Sequence, residues 1–122
     1  MTVSQAIDCV DRLKPNGYSY ADKLVWLSRL DAEVKREITD AYEGDPAKEA
    51  PAYTGSGGDT PLLAEAPYDE MYIHYLSAQI DYANCEYDRF NNSNAMFESA
   101  YSAFRNAYNR DHTAKQRKKK YW

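Results

Sequence analysis

The sequence predicts an all-α protein, a small bundle of about four helices whose centre is a long antiparallel helical hairpin. Three observations carry this. Apolar residues recur at steps of three and four in four separate stretches, with no strand pattern of any length. Helix caps and turn formers stand where those stretches begin and end. Hydrophobic residues make up 43% of the 122 and charged residues 28%, which suits one folded domain and excludes a disordered chain.

Thr2 or Ser4 caps a first helix, with Val3, Ile7, Val10 and Leu13 at helical spacing. Lys14-Pro15-Asn16-Gly17 stops it, because proline lacks a donor and Asn-Gly favours a turn. Ser19 caps a second helix, and Asp22 favours its first turn. Leu24, Leu27, Leu30, Val34, Ile38 and Ala41 form its stripe, and Gly44 ends it.

Residues 45–66 hold Pro46, Pro51, Pro61 and the run Gly55-Ser56-Gly57-Gly58, which reads as a long exposed loop. A short strand near Pro61–Ala64 has no pattern to support it. Pro67 suits the first position of a third helix, expected to run to about Phe90 over about 35 Å. That helix carries an aliphatic seam, Ile73, Leu76, Ile80, Ala83, Tyr87 and Phe90. It also carries a tyrosine row, Tyr68, Tyr72, Tyr75 and Tyr82. Asn91-Asn92-Ser93-Asn94 reads as the turn into a fourth helix that ends near Asn109. Phe97, Tyr101, Phe104 and Tyr108 line one row of it, beside Met96, Ala100, Ala103 and Ala107. A helical domain over 1–112 and a basic tail over 113–122 follow.

The charge is uneven. Net charge is −4, but ten bases meet nineteen acids before Thr113, a net −9, while Lys115–Trp122 carries +5. An acidic body binds DNA poorly, and a basic tail suits phosphates or an acidic partner. Twelve of seventeen aromatics are tyrosine, a residue suited to surfaces covered only in a complex. Cys9 and Cys85 form no CxxC pair. Asp8 and Asp11 interrupt the start where a secretory leader is apolar, and no stretch nears the roughly 18 apolar residues of a membrane span. A reduced, cytoplasmic protein without a membrane segment is the expectation.

Chemistry-bearing patterns are weak. His74 shares a helical face with Asp81 and Cys85, but about 10 Å of helix separates His74 from Asp81, so a solvated polar face is expected in place of a metal site. Glu70 and His74 read as a surface pair rather than an acid–base dyad. The glycine run lacks the Lys-Ser/Thr of a phosphate loop. No enzyme, cofactor or metal is expected. The interface candidates are Trp26, Tyr68, Tyr72, Tyr75 and Tyr82, against the plain alternative that the tyrosines pack the core. On the interface reading, Tyr75→Asp or Tyr82→Asp weakens assembly more than folding. Lys115, Arg117, Lys118, Lys119, Lys120, Tyr121 and Trp122 are candidates for DNA or partner contact, against a plain solvated end.

Two blocks, about 1–44 and 61–112, resemble a known family. They include Leu13-Lys14-Pro15-Asn16-Gly17-Tyr18-Ser19, Leu24-Val25-Trp26-Leu27-Ser28-Arg29-Leu30-Asp31, Ala66-Pro67-Tyr68-Asp69-Glu70-Met71-Tyr72, Tyr75-Leu76-Ser77-Ala78-Gln79-Ile80-Asp81-Tyr82, and Glu86-Tyr87-Asp88-Arg89-Phe90 running on to Phe97. The pattern is similar to the small helical head–tail connector (adaptor or head-completion) proteins of tailed bacteriophages. The resemblance implies a structural virion protein of the neck, assembled in host cytoplasm. It implies a homo-oligomeric ring, often a dodecamer, under the portal protein, extending the channel for genomic DNA and receiving a stopper or tail-completion protein. It also implies neighbour contacts through 45–66 and the C-terminal segment. A terminase small-subunit-like DNA-binding packaging factor is the alternative. Few bases stand at recognition-helix positions for it, Lys35 and Arg36 lying among Glu33, Glu37 and Asp40.

Overall fold

A computed structural model describes residues 1–39, 53 and 60–120, with 38–39 and 111–120 as backbone alone. Among these the fold is all-α. The elements are α1 (Val3–Leu13), α2 (Tyr20–Val34), a π-helical turn (Lys35–Thr39), α3 (Glu70–Ala83) and α4 (Tyr87–Lys120).

Local sequence sets the first two helices. The Thr2 hydroxyl accepts the Gln5 amide, and the Gln5 side chain accepts the Thr2 amide, a reciprocal capping box. The Ser19 hydroxyl accepts the Asp22 amide at the start of α2. Val3, Ile7 and Val10 from α1 are buried against Leu24, Leu27, Leu30 and Val34 from α2. Leu13, expected on this stripe, is instead 70% exposed, since α1 ends there. Met71, Leu76 and Ile80 from α3 complete the core, with Phe104 from α4.

The segment read as an exposed loop is only partly so. Most of 45–66, with Ala41 and Gly44, lies outside the described residues. Of the described part, Tyr53, Leu62 and Ala64 are buried. They are held down by hydrogen bonds, not by propensity. Tyr53 donates its amide to Ser28 Oγ at 2.8 Å, and Leu62 donates to Met1 O at 3.1 Å. Val3 donates to Thr60 O at 3.1 Å, so Thr2 and Pro61 form one isolated antiparallel bridge where a strand was unsupported.

The boundary between the last two helices is not where the sequence suggests. Pro67 precedes α3 in a turn after a cis Ala66–Pro67 bond, and the helix begins at Glu70. α3 ends at Ala83, not Phe90, and Asn91-Asn92-Ser93-Asn94 lies inside α4. Asn and Ser lower helix stability by only some tenths of a kcal/mol each, which tertiary contacts easily exceed. Here Ser93 donates its hydroxyl to buried Asp81 at 2.9 Å. α4 also continues past Asn109 to Lys120, so no helix break separates a tail at 113.

Candidate functional site

The bend between α3 and α4 carries the two most exposed tyrosines among the described residues, Tyr82 and Tyr87. α3 closes with a Schellman turn. The Glu86 amide donates to Asp81 O at 2.9 Å, and the Cys85 amide to Tyr82 O at 3.0 Å. Cys85 takes the left-handed position, φ 59°, where glycine is the usual residue. It is a free, exposed thiol. Asp81, 1% exposed, locks the bend. It accepts Lys14 Nζ at 2.5 Å and the Ser93 hydroxyl, joining the end of α1 to α3 and α4.

Three aromatic rings crown this turn. Tyr82 and Tyr87 are 58% and 56% exposed, with centroids 6.0 Å apart, edge to face. Phe90 packs on Tyr82 at 5.4 Å. Tyr18 extends the surface towards α2. Its hydroxyl donates to Asn84 Oδ1 at 2.7 Å and its ring meets Trp26 at 5.8 Å. Trp26 is half-buried, and Val25 beside it is 49% exposed.

The expected tyrosine row therefore divides. Tyr82 stands on the surface. Tyr68 and Tyr75 are half-buried and pack across to α4, on Phe104 at 6.2 Å and Phe97 at 5.1 Å. Tyr72, expected on the same interface row, is wholly buried inside the subunit. Its hydroxyl donates to Asp31 Oδ1 at 2.7 Å and accepts the Ala64 amide at 2.8 Å. It is withdrawn because α2 offers a buried acceptor opposite it. Asp31 also accepts the Tyr53 hydroxyl and the Leu63 amide. Burial raises the Asp31 carboxyl above its ordinary range, against the opposing effect of these donors.

No sequence expectation covers the buried roles of Asp31 and Asp81, while Cys85 is exposed as its place on a solvated face predicts. Asp31 was legible in principle, because it continues the apolar spacing of Leu24, Leu27 and Val34. Asp81, expected on a solvated face, is instead buried and accepts a hydrogen bond from Lys14, 67 residues away. Met96, also 56% exposed, stands on α4. The side chains of Lys115, Arg117, Lys118, Lys119 and Lys120, and all of Tyr121 and Trp122, lie outside the described residues. The backbone of 115–120 continues α4.

Among the described residues, no group of three or more His, Cys, Asp or Glu side chains could hold a metal. No helix among them is long and apolar enough to cross a membrane. Comparison with protein-family models, with curated proteins and with solved structures finds no match to this chain.

Proposed function

We propose that the chain is a structural subunit of a tailed-phage neck. Copies form a ring under the portal that extends the DNA channel and joins capsid to tail. The exposed aromatic bend carries this proposal on the physical side. Tyr82 and Tyr87 keep more than half their surface in water although the same chain buries Tyr72 completely. An assembling subunit covers such rings with a neighbour. The likeness of the two sequence blocks to head–tail connectors supplies the assembly.

In this reading α3 and α4 form an antiparallel hairpin that builds the ring wall. The pairs Tyr82–Tyr87, Tyr75–Phe97 and Tyr68–Phe104 support it, because one partner falls in number as the other rises. The subunit is not an enzyme and uses no cofactor. Its partners are its own copies, the portal protein, a stopper or tail-completion protein, and the DNA passing through the lumen.

The test is the mass of the purified protein alone and mixed with a portal ring. Ring formation or co-migration with the portal supports the proposal. A strict monomer that ignores the portal sinks it. One observation favours the packaging-factor alternative: the five bases of 115–120 fall on the end of an uninterrupted helix. Tight duplex binding at about 150 mM salt would select that alternative.

A further inference from the structure

The turn between α1 and α2 brings an amine and a carboxamide onto one carboxylate oxygen. Asp11, in the last turn of α1, accepts Lys23 Nζ at 2.7 Å and Asn16 Nδ2 at 3.0 Å, both on Oδ1. Lys23 is only 3% exposed, a rare state for a lysine. Its bonds to Asp11 and to Tyr18 O at 3.0 Å satisfy the amine, and they also hold it beside the Asn16 side chain.

The neighbours fix how that side chain lies. Its nitrogen faces two acceptors, Asp11 Oδ1 and Lys14 O at 3.0 Å. Its oxygen faces a donor, the Tyr18 amide at 3.1 Å. A backbone N–H on a carbonyl oxygen stabilises the oxyanion that forms when that carbon is attacked. A carboxylate touching both nitrogens can carry protons between them. Asp11 itself is 42% exposed, which leaves a way out for a small leaving group. Nucleophile, proton carrier and polarised carbonyl thus meet in one turn.

We infer that Lys23 and Asn16 join in an intramolecular isopeptide bond, with Asp11 as the proton carrier. Asp11 takes one proton from the Lys23 ammonium, and the freed Nζ lone pair attacks Asn16 Cγ. The carbonyl electron pair moves onto Oδ1, held by the Tyr18 amide. Asp11 passes its proton to Nδ2, the Cγ–Nδ2 bond breaks, and ammonia leaves. The new amide nitrogen gives its extra proton through Asp11 to the ammonia, which departs as ammonium. Nothing is oxidised or reduced, and no co-reactant enters. The one movement required is closure of Nζ onto Cγ, to the roughly 3–3.5 Å from which such bonds form.

The bond staples the end of α1 to the first turn of α2. It also closes the loop that carries Tyr18, whose hydroxyl reaches Asn84 beside the α3–α4 bend. The inference is independent of the neck proposal. A competitor for the same carbon is the backbone nitrogen of exposed Gly17, which would form a cyclic imide.

Peptide mapping of the full chain, incubated at about pH 9 where more lysine is unprotonated, tests this. The parent is expected to lose one ammonia, about 17 Da, with Lys23 then resisting trypsin. Chymotrypsin, cutting after Tyr18 or Tyr20 inside the closed loop, is expected to leave two fragments joined through residues 16 and 23. A cyclic imide has the same mass but leaves Lys23 open to trypsin and joins nothing. Lys23→Arg is expected to give no joined fragments, and so is the parent held unfolded in urea. Asp11→Ser is expected to form them about a hundredfold more slowly. A parent cut fully at Lys23 overturns the inference, whether unchanged in mass or about 1 Da heavier at Asn16. Equal rates in the parent and Asp11→Ser, or in folded and unfolded chains, overturn it as well.

Discussion

Asp31 on α2 and Tyr72 on α3 are both wholly buried, and the carboxylate accepts the phenolic proton at 2.7 Å. The same phenol oxygen accepts the Ala64 amide, so one hydroxyl links two helices and the segment before α3. Tyr72→Phe removes a donor from Asp31 and an acceptor from Ala64. A buried group left without a partner costs about 1–3 kcal/mol. Urea unfolding of Tyr72→Phe is expected to show a loss of about 2 kcal/mol with an unchanged slope. A loss below about 0.5 kcal/mol would mean that Ala64 and Asp31 find other partners.

Asp31 also makes stability depend on pH. Burial raises its folded carboxyl above the ordinary value of 3.8, and its three donors are neutral. A raised folded value favours the protonated form in the native state. Its stabilising contribution is therefore complete below pH 3.8 and is lost as pH rises through the folded value. Unfolding free energies of parent and Asp31→Asn, measured across acid pH, are expected to converge or cross as pH rises, the parent losing ground. A parent that gains relative to Asp31→Asn over that window would reverse the sign and show the hydrogen bonds outweighing burial.

Lys14 and Asp81 form a pair of unequal exposure, 26% against 1%. Lys14→Met leaves a carboxylate buried with only the Ser93 hydroxyl beside it. Breaking such a pair from one side costs about 3–5 kcal/mol when both partners are buried, so about 2 kcal/mol is expected for this half-covered one. Adding Asp81→Asn to Lys14→Met is expected to recover part of the loss. Thermal melting of the two variants checks both statements.

Cys85→Gly is expected to stabilise the monomer by about 1 kcal/mol, because glycine takes the left-handed position without a Cβ clash. Cys85→Val is expected to destabilise it, since a β-branched residue fits that position worst. Equal melting temperatures for Gly and Val would show that the turn relaxes.

Tyr75 and Tyr82 separate two roles that sequence treats alike. Tyr82→Asp alters an exposed ring and is expected to leave unfolding within about 0.5 kcal/mol of the parent. Tyr75→Asp sets a carboxylate against Phe97 and is expected to cost about 2 kcal/mol or more. Chemical denaturation of both single variants tests the ordering, and reversal of it would place Tyr82 in the core.

Local chemistry was legible and distant chemistry was not. The caps act on amides three residues on, so the sequence marks Ser19 outright and narrows the first cap to Thr2 or Ser4, of which the structure uses Thr2 with Gln5. The stop at Asn84–Glu86 stands beside Asp81, whose side chain Lys14 reaches from 67 residues away. No local rule carries that contact, and the weaker signal of Asn91–Asn94 took its place. The tyrosine row failed in a similar manner. Helical spacing says which residues share a side, but only the fold puts Asp31 opposite Tyr72 and water opposite Tyr82.

The unequal lengths of α3 and α4 have a mechanical consequence. α3 spans 14 residues and α4 spans 34, and both start from the same short turn. At about 1.5 Å per residue these are arms of about 21 and 50 Å. Tyr75 on Phe97 and Tyr68 on Phe104 fasten α4 to α3 over its first half, so the pivot for any tilt of the longer arm lies near Phe104 and not at the locked bend. From Phe104 to Lys120 is 120 − 104 = 16 residues, about 24 Å, so a tilt of about 10° there carries the backbone at Lys120 sideways by about 4 Å.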